Sequence, residues 1–431
     1  MEQTPNSLDA LFAFLLAGLL TMLLVPLTSR LATRLGAIDY PNERSLHDVP
    51  TPKLGGLAIL VGALAAGLIW LPGEGESRAI LIGAVVIALV GLVDDVYDLS
   101  ALPKLLGQTA AVVIPVSAGV TIESFTIPFF GRLSPGTVEL VNLPWGGAVN
   151  LGQVATVLGI VAVINVINLI DGVDGLAAGV CAISAVSLAV IALSLERTAA
   201  GVLAALTAGA ALGFLRHGFP PASTFMGDTG SNLLGYLLGA VAVQGALKTN
   251  AVVALFLPLI ILAVPILDTG FVVAKRLKYR RPIYKADRWH FHHRMADIGF
   301  SQRRTLLYLY GWTLVMAALA LALRFVPYSD NHGHFDPFWT AVMGVCGILA
   351  LAASVYLVSV LEILKLRQVR LRQLVTIRRR VGAPVPAPQE ADRAVQEELE
   401  TGTFPAVDPE TGEFGAVEPE TPSGRGSGKR H

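Results

Sequence analysis

Four polar clusters interrupt an otherwise apolar chain, and each carries groups able to do chemistry: residues 92–100 (LVDDVYDLS), 165–177 (NVINLIDGVDGLA), 225–232 (FMGDTGSN) and 285–295 (KADRWHFHHRM). Asp94 and Asp95 are adjacent. Two neighbouring carboxylates raise one another's proton affinity, and a divalent cation relieves the repulsion. An acidic helix end without a role explains that pair equally well. Asp171 and Asp174 are three apart, as are Asn165 and Asn168, and this spacing sets each pair on one side of a helix. Gly172 and Gly175 permit close backbone approach. A calcium loop starting at Asp171 fails, because its twelfth position is Ala182 instead of glutamate. Asp228 precedes the small residues that open an apolar block. A helix start offers free N–H groups to phosphate, and a carboxylate beside them can hold Mg²⁺. Ser231 and Asn232 could equally be ordinary caps.

The fourth cluster is cationic. Zinc would want further ligands at suitable spacing, and no cysteine is near. Arg288, Arg294 and the imidazoles instead suit an anion such as a diphosphate. A basic loop on lipid head groups accounts for Lys275, Arg276, Lys278, Arg280 and Arg281, but not for the histidines.

The elements that position these groups are membrane helices. Mean hydropathy is +0.62, with 53% hydrophobic and 15% charged residues, which excludes an ordinary soluble enzyme. Apolar blocks fall at 8–29, 53–72, 78–97, 104–120, 150–170, 175–195, 197–217, 229–246, 250–274, 304–326 and 337–364. A span needs about 20 residues, so the chain reads as an all-α polytopic membrane protein with about eleven transmembrane helices. With the N-terminus outside and the C-terminus cytoplasmic, Lys and Arg number 23 on one face and five on the other. The basic face is then the cytoplasmic one, and all four clusters fall on it. The leader lacks a basic n-region, so the first span reads as a retained anchor. Cys181 and Cys346 lie inside spans and imply no disulfide framework.

Residues 1–365 thus form a transmembrane domain with cytoplasmic loops. Residues 366–380 are a basic juxtamembrane segment suited to anionic lipids. Residues 381–431 are a Pro-, Glu-, Gly- and Thr-rich acidic tail expected to be disordered. The outward loop 121–149 suggests a small hairpin with Ser134–Pro135–Gly136 as its turn. Asp98 and Lys104 are close enough in sequence to pair with each other. Carboxylates for Mg²⁺, cationic donors and apolar helices on one face point to phosphoryl transfer involving a lipid-linked substrate.

The ordered set PNERSLHDVPTPKLGG, DDVYDL with a following Lys, NVINLIDGVDGLAAG, FPPASTFMGDTGS and ADRWHFHHRM resembles the polyprenyl-phosphate N-acetylhexosamine-1-phosphate transferases over about residues 30–310. The Asp-Arg-x-His-x-His-His form is more similar to the branch using UDP-GlcNAc than to the phospho-N-acetylmuramoyl-pentapeptide transferases. The resemblance implies that UDP-GlcNAc and a polyprenyl phosphate give polyprenyl-diphospho-GlcNAc and UMP, with Mg²⁺ (or Mn²⁺ in its place), at a bacterial inner membrane. It opens synthesis of a cell-envelope glycopolymer, such as teichoic acid or an O-antigen. It implies Asp228 as the principal metal ligand and Asp94 and Asp95 at the lipid phosphate. Asn168, Asp171, Asp174 and Phe225 would line the nucleotide pocket, and His290, His292, His293 and Arg294 would hold the diphosphate and sugar. Partners would be those substrates and membrane lipids, with no nucleic acid; a homodimer is left open. One departure is Gly218, where the family usually has Asn before FPPA; His217 is the candidate to replace that contact. The rival class is a secondary transporter, in which Pro258 and Pro265 would break a helix.

Overall fold

The computed structural model describes residues 5–41, 49–127, 131–142, 148–246, 256–278, 280, 290–328 and 335–381. In chain order these form α1 (Ser7–Leu35), β1 (Ile38–Asp39), β2 (Thr51–Pro52), α2 (Gly55–Trp70), α3 (Gly75–Tyr97) and α4 (Ala101–Ser117). Next come β3 (Phe125–Ile127), β4 (Gly131–Leu133), β5 (Glu139–Asn142), β6 (Ala148–Asn150), α5 (Leu151–Ile170), α6 (Leu176–Ser194) and α7 (Thr198–Gly218). The rest are α8 (Gly227–Val241), α9 (Phe256–Ile261), α10 (Ala263–Lys278), α11 (Phe291–Asp297), α12 (Gln302–Phe325) and α13 (Pro337–Val381).

The protein is mostly helical and polytopic. Helix overlies each predicted apolar block, but not always at spanning length. Among the described residues seven helices are long and apolar enough to cross a membrane: α1, α3, α5, α6, α7, α12 and the 337–360 part of α13. The apolar helices α2 and α4 are shorter. The block at 250–274 is described from residue 256 and divides at Leu262 into α9 and α10. Pro265 lacks the N–H that would bond Ile261, which accounts for the break. The described residues thus form a helical membrane bundle with seven helices of spanning length and two shorter apolar ones, some of them enclosed by others.

The clearest enclosed helix is α8, buried at every position from Thr229 to Val241 and continued by a π-helical turn over Ala242–Ala246. It packs against α2, α3, α5, α6 and α7. Small residues make this possible. A Cβ on Gly56 of α2 would sit 2.2 Å from the Gly230 nitrogen, and one on Gly91 of α3 would sit 2.5 Å from the Asp228 carbonyl oxygen. The backbone is pinned as well. Phe225 N–H donates to the Pro52 carbonyl (2.8 Å), and Gly55 N–H and Gly56 N–H donate to the Phe225 and Met226 carbonyls (both 2.9 Å). This short ladder fixes the start of α8 against the start of α2.

The loop at 121–149 corrects a second expectation. It forms two antiparallel pairs, β3 with β4 and β5 with β6, and Pro135–Thr137 is a 3₁₀ turn between them. Proline at the first position of such a turn needs no N–H partner, so Ser134–Pro135–Gly136 links two pairs instead of closing one. The basic stretch 366–380 continues α13 without a break to Val381. The tail at 382–431, the Arg44–His47 part of the motif PNERSLHDVPTPKLGG and residues 281–289 lie outside the described residues.

Overpacking at a backbone-to-backbone crossing has no cheap relief, so Gly56→Val should cost more than the ~1–3 kcal/mol of an overfilled core site. A thermal melt in detergent should show a large loss for Gly56→Val and little change for Gly311→Ala, where nothing lies within 4 Å of the added carbon.

Candidate active site

Three helix junctions meet at one end of the bundle. The end of α3 supplies Asp94 and Asp95, the α5–α6 loop supplies Asp171 and Asp174, and the start of α8 supplies Asp228. They line one cavity of about 270 Å³, together with Asp39, Asp98, Lys53, Asn168, Phe225 and Gly218 among others. Seven aspartates against one lysine make the lining strongly anionic. An anionic nucleotide could enter only with a cation.

Lys104, at the start of α4, already offsets part of this charge from behind. Its ammonium lies 2.8 Å from Asp94 Oδ2, donates to Asp228 Oδ2, and reaches Asn168 Oδ1 at 3.3 Å. Asn168 Nδ2 donates in turn to Asp228 Oδ1 (2.6 Å) and to Ser231 Oγ (2.9 Å). The expected pairing of Lys104 with Asp98 is therefore replaced by a bridge across helices. The first turn of α4 faces α5 and α8, so the lysine spans to the deeper carboxylates.

Asp95 has different work from Asp94. Its carboxylate accepts from Asp228 N–H (2.8 Å), Thr229 N–H (3.0 Å) and the Thr229 hydroxyl (2.7 Å). It caps the N-terminus of α8 from another helix, satisfying donors that have no partner within α8. Gly227, at φ +66, makes this approach possible: a Cβ there would lie 2.5 Å from both Asp95 oxygens. Asp94, only 7% exposed, accepts from Leu99 N–H (2.7 Å) in addition to Lys104. Asp174 accepts from Ala222 N–H (3.0 Å), which ties the α5–α6 loop to the Pro220–Ala222 turn.

Asp171 closes α5 beside these groups. Burial, followed by the charges of Asp228, Asp95 and Asp174, holds its proton affinity well above that of an ordinary carboxyl. The donor set is hard oxygen throughout, carboxylates and an amide, and Asp94 and Asp228 are spaced to share one positive charge. This fits a Mg²⁺-type ion, with Asp228 central and Asp94, Asn168 and Asp171 within its surroundings. Among the described residues no group of three or more His, Cys, Asp or Glu is placed to hold a metal ion by itself. An ion completed by substrate oxygens needs none.

The histidine segment lies elsewhere than the lining. His290 Nδ1 bonds Asp268 Oδ2 (2.9 Å), whose Oδ1 accepts from Phe291 N–H (2.7 Å). His292 is buried between His290 and His293, with ring centroids at 5.6 and 4.3 Å. It backs the α5–α6 loop: a Cβ on Gly172 would meet His292 Nε2 at 2.6 Å. Arg294 is buried with its guanidinium 3.9 Å from the Phe271 ring centroid. Of the expected site residues, Asp94, Asp95, Asn168, Asp171, Asp174, Phe225 and Asp228 therefore share the cavity, while His290, His292, His293 and Arg294 stand behind it. His292 is held neutral, its proton affinity pushed well down by burial and then by His293 and His290.

Gly218 lines the cavity, and Phe214 fills the space a side chain there would take, 2.4 Å from an added Cβ. His217 turns away to the Met22 carbonyl (3.0 Å) and does not substitute for the missing asparagine. Sequence reading missed Lys104 as a bridge, Asp268 as the partner of His290, and Tyr310. The Tyr310 hydroxyl donates to the Gly175 carbonyl (2.6 Å) and steadies the loop. The one signal for Asp268 was a carboxylate inside an apolar block.

This geometry, a carboxylate-lined cavity at the ends of membrane helices, agrees with the chain's relatives. The family described as glycosyl transferase family 4 matches residues 77–246. A probable undecaprenyl-phosphate N-acetylglucosaminyl 1-phosphate transferase of Bacillus subtilis is 38% identical over 72% of this chain and 84% of its own length. The decaprenyl-phosphate N-acetylglucosaminephosphotransferase of Mycolicibacterium smegmatis is 34% identical over 75% and 82%. A phospho-N-acetylmuramoyl-pentapeptide-transferase of Desulforudis audaxviator is 35% identical over 74% and 98%. The chain belongs to this family of membrane sugar-phosphate transferases, and its activity is phosphotransfer to a polyprenyl-phosphate acceptor.

Asp95→Ala would leave two backbone donors and a hydroxyl of α8 without an acceptor. It should lower stability by about 2–4 kcal/mol, read as a reduced melting temperature, with Asp95→Asn losing less. The neutral His292 gives a pH test. Its proton affinity is lowered by folding, so its stabilisation is complete above the ordinary histidine pKa of about 6.5 and is lost as pH falls below that. Melting curves at about pH 7.5 and 5.5 should converge for wild type and His292→Gln at the acid end, through a steeper acid loss in wild type.

Proposed function

We propose that the protein transfers GlcNAc-1-phosphate from UDP-GlcNAc to a polyprenyl phosphate, giving polyprenyl-diphospho-GlcNAc and UMP. It would do so at the cytoplasmic face of a bacterial inner membrane. The observation that carries this reading is the convergence of Asp94, Asp95, Asp171, Asp174 and Asp228 on one cavity that also contains Phe225. The excess of Lys and Arg on the face carrying the four clusters supports the cytoplasmic assignment.

A bound Mg²⁺, held chiefly by Asp228, supplies positive charge for the donor diphosphate. Phe225 offers an aromatic face to the uracil. Asn168 orients Asp228 through its 2.6 Å hydrogen bond, and the Lys104 ammonium holds Asp228 from behind the cavity. The histidine segment, His290, His292, His293 and Arg294, supports the α5–α6 loop from behind the cavity. The residues before 366 constitute the transferase, and 366–380 form a basic helical extension suited to lipid head groups.

No general base is required. A phosphate monoester has its second pKa near about 6 and is largely dianionic at neutral pH. An oxygen of the acceptor phosphate attacks the β-phosphorus, which carries the sugar. The bond from that phosphorus to the bridging oxygen breaks, and UMP leaves with that oxygen. Asp94 and Asp95 then act by placing Lys104 and the start of α8 instead of taking a proton.

A second substrate, UDP-MurNAc-pentapeptide, has support from the 35% identity to the muramoyl-pentapeptide enzyme. Assaying UMP release from both donors, with and without polyprenyl phosphate and Mg²⁺, separates them. The proposal expects release from UDP-GlcNAc only when lipid phosphate and Mg²⁺ are present. A phosphosugar-labelled enzyme formed without lipid would contradict direct displacement. Asp228→Asn should lower turnover by about 100- to 1,000-fold without loss of folding.

A further inference from the structure

One turn deeper than the catalytic groups, the same three helices carry a second polar layer with no access to the cavity. Gln108 lies four residues after Lys104 on α4, Asn165 three before Asn168 on α5, and Asn232 four after Asp228 on α8. Three or four residues is one helical turn, so each member stands directly beneath its counterpart. The upper layer is joined pairwise, Lys104 to Asp228, Lys104 to Asn168, and Asn168 to Asp228. The lower layer is joined through Gln108. Its Oε1 accepts from Asn165 Nδ2 (2.8 Å), and its Nε2 donates to Asn165 Oδ1 (3.5 Å) and Asn232 Oδ1 (3.4 Å). Gln108 and Asn232 are fully buried, and Asn232 Nδ2 has no partner.

Three amides in the apolar interior are a poor way to gain stability. Interhelical hydrogen bonds within membranes average only about 0.6 kcal/mol, and an unsatisfied buried donor costs about 1–3 kcal/mol. Leucine or methionine would fill the same space without that penalty. What hydrogen bonds add is direction. They fix the rotation of α4, α5 and α8 about their own axes, and a rotation at this level carries Lys104, Asn168 and Asp228 with it. An apolar contact tolerates a small turn of one helix; a Gln–Asn pair does not.

We infer that Gln108, Asn165 and Asn232 are positioning residues for the phosphotransfer proposed above, with Gln108 as the hub that holds Lys104 on Asp228. The inference rests on that reaction for its kinetic test and on geometry alone for its structural one.

The variants are Gln108→Met, Asn232→Leu and the triple replacement with Asn165→Leu, each purified as the full chain. A displacement on the order of 1 Å at reacting groups can cost about 100-fold. Gln108→Met is therefore expected to lower kcat by about 10- to 100-fold with KM for the nucleotide-sugar within about twofold and a lower melting temperature, since Asn165 and Asn232 lose their partner; the triple replacement should show the same kcat loss with an unchanged or higher melting temperature. In a Lys104→Met background Gln108→Met should have almost no further effect on kcat, because Gln108 acts through Lys104. Full activity in the triple variant, or an undiminished Gln108→Met effect without Lys104, would overturn the inference. So would a melting temperature of the triple variant that falls in step with kcat. The second arm is the structure of Gln108→Met, in which the Lys104 ammonium should leave Asp228 or Asn168; an unmoved ammonium would refute it. If wild type transfers from no nucleotide-sugar, the functional reading fails while this structural arm still decides the positioning role.

Discussion

Carboxylates that converge at the ends of membrane helices repel one another, and everything at this site follows from how that repulsion is contained. Seven aspartates line a cavity of about 270 Å³. At an effective dielectric of about 20, two like charges 4 Å apart repel by about 4 kcal/mol, so an uncompensated cluster would open the bundle. Three devices hold it. The Lys104 ammonium bridges Asp94 and Asp228, the first turn of α8 donates to Asp95, and Asp171 keeps its proton affinity high. None removes the negative potential; each leaves room for an added cation.

That constraint explains the architecture. The helix carrying Asp228 is wholly enclosed, since a residue that must meet groups from α3, α4 and α5 needs a backbone fixed on all sides. Glycines at 56, 91 and 227 are the means. They bring backbone against backbone, which is the closest packing available where lipid provides no hydrophobic drive between helices. The histidine segment follows the same logic from the other side. With Asp268 and Phe271 it forms a packed wall behind Gly172, so the α5–α6 loop has little freedom to retreat from the cavity.

Much of this was legible in the residues. Apolar blocks gave the helical membrane class, and carboxylates at block ends gave the cavity's lining, because charge in an apolar context stands out. Less legible was what depends on contacts between distant segments. Asp95 reads as half of an acidic pair, and its capping of α8 emerges only once α3 lies beside that helix. Lys104 is six residues from the nearer carboxylate in sequence, Asp98, yet it pairs across to Asp94 and Asp228. His290, His292 and Arg294 looked like ligands for an anion because their types are cationic, and burial, which decides against a free charge on His292, has no signature in so short a stretch. Hydropathy likewise does not distinguish a helix surrounded by lipid from one surrounded by other helices, as with α8.

The account stands on one cation held by Asp228 within the aspartate-lined cavity and shared with the nucleotide-sugar. The most direct measurement is anomalous scattering from Mn²⁺ in crystals of the full chain grown with UDP-GlcNAc. The account predicts a single peak beside the Asp228 carboxylate, in contact with the donor's diphosphate. A peak at the histidine segment, or a diphosphate bound in the cavity with no metal near Asp228, would contradict it.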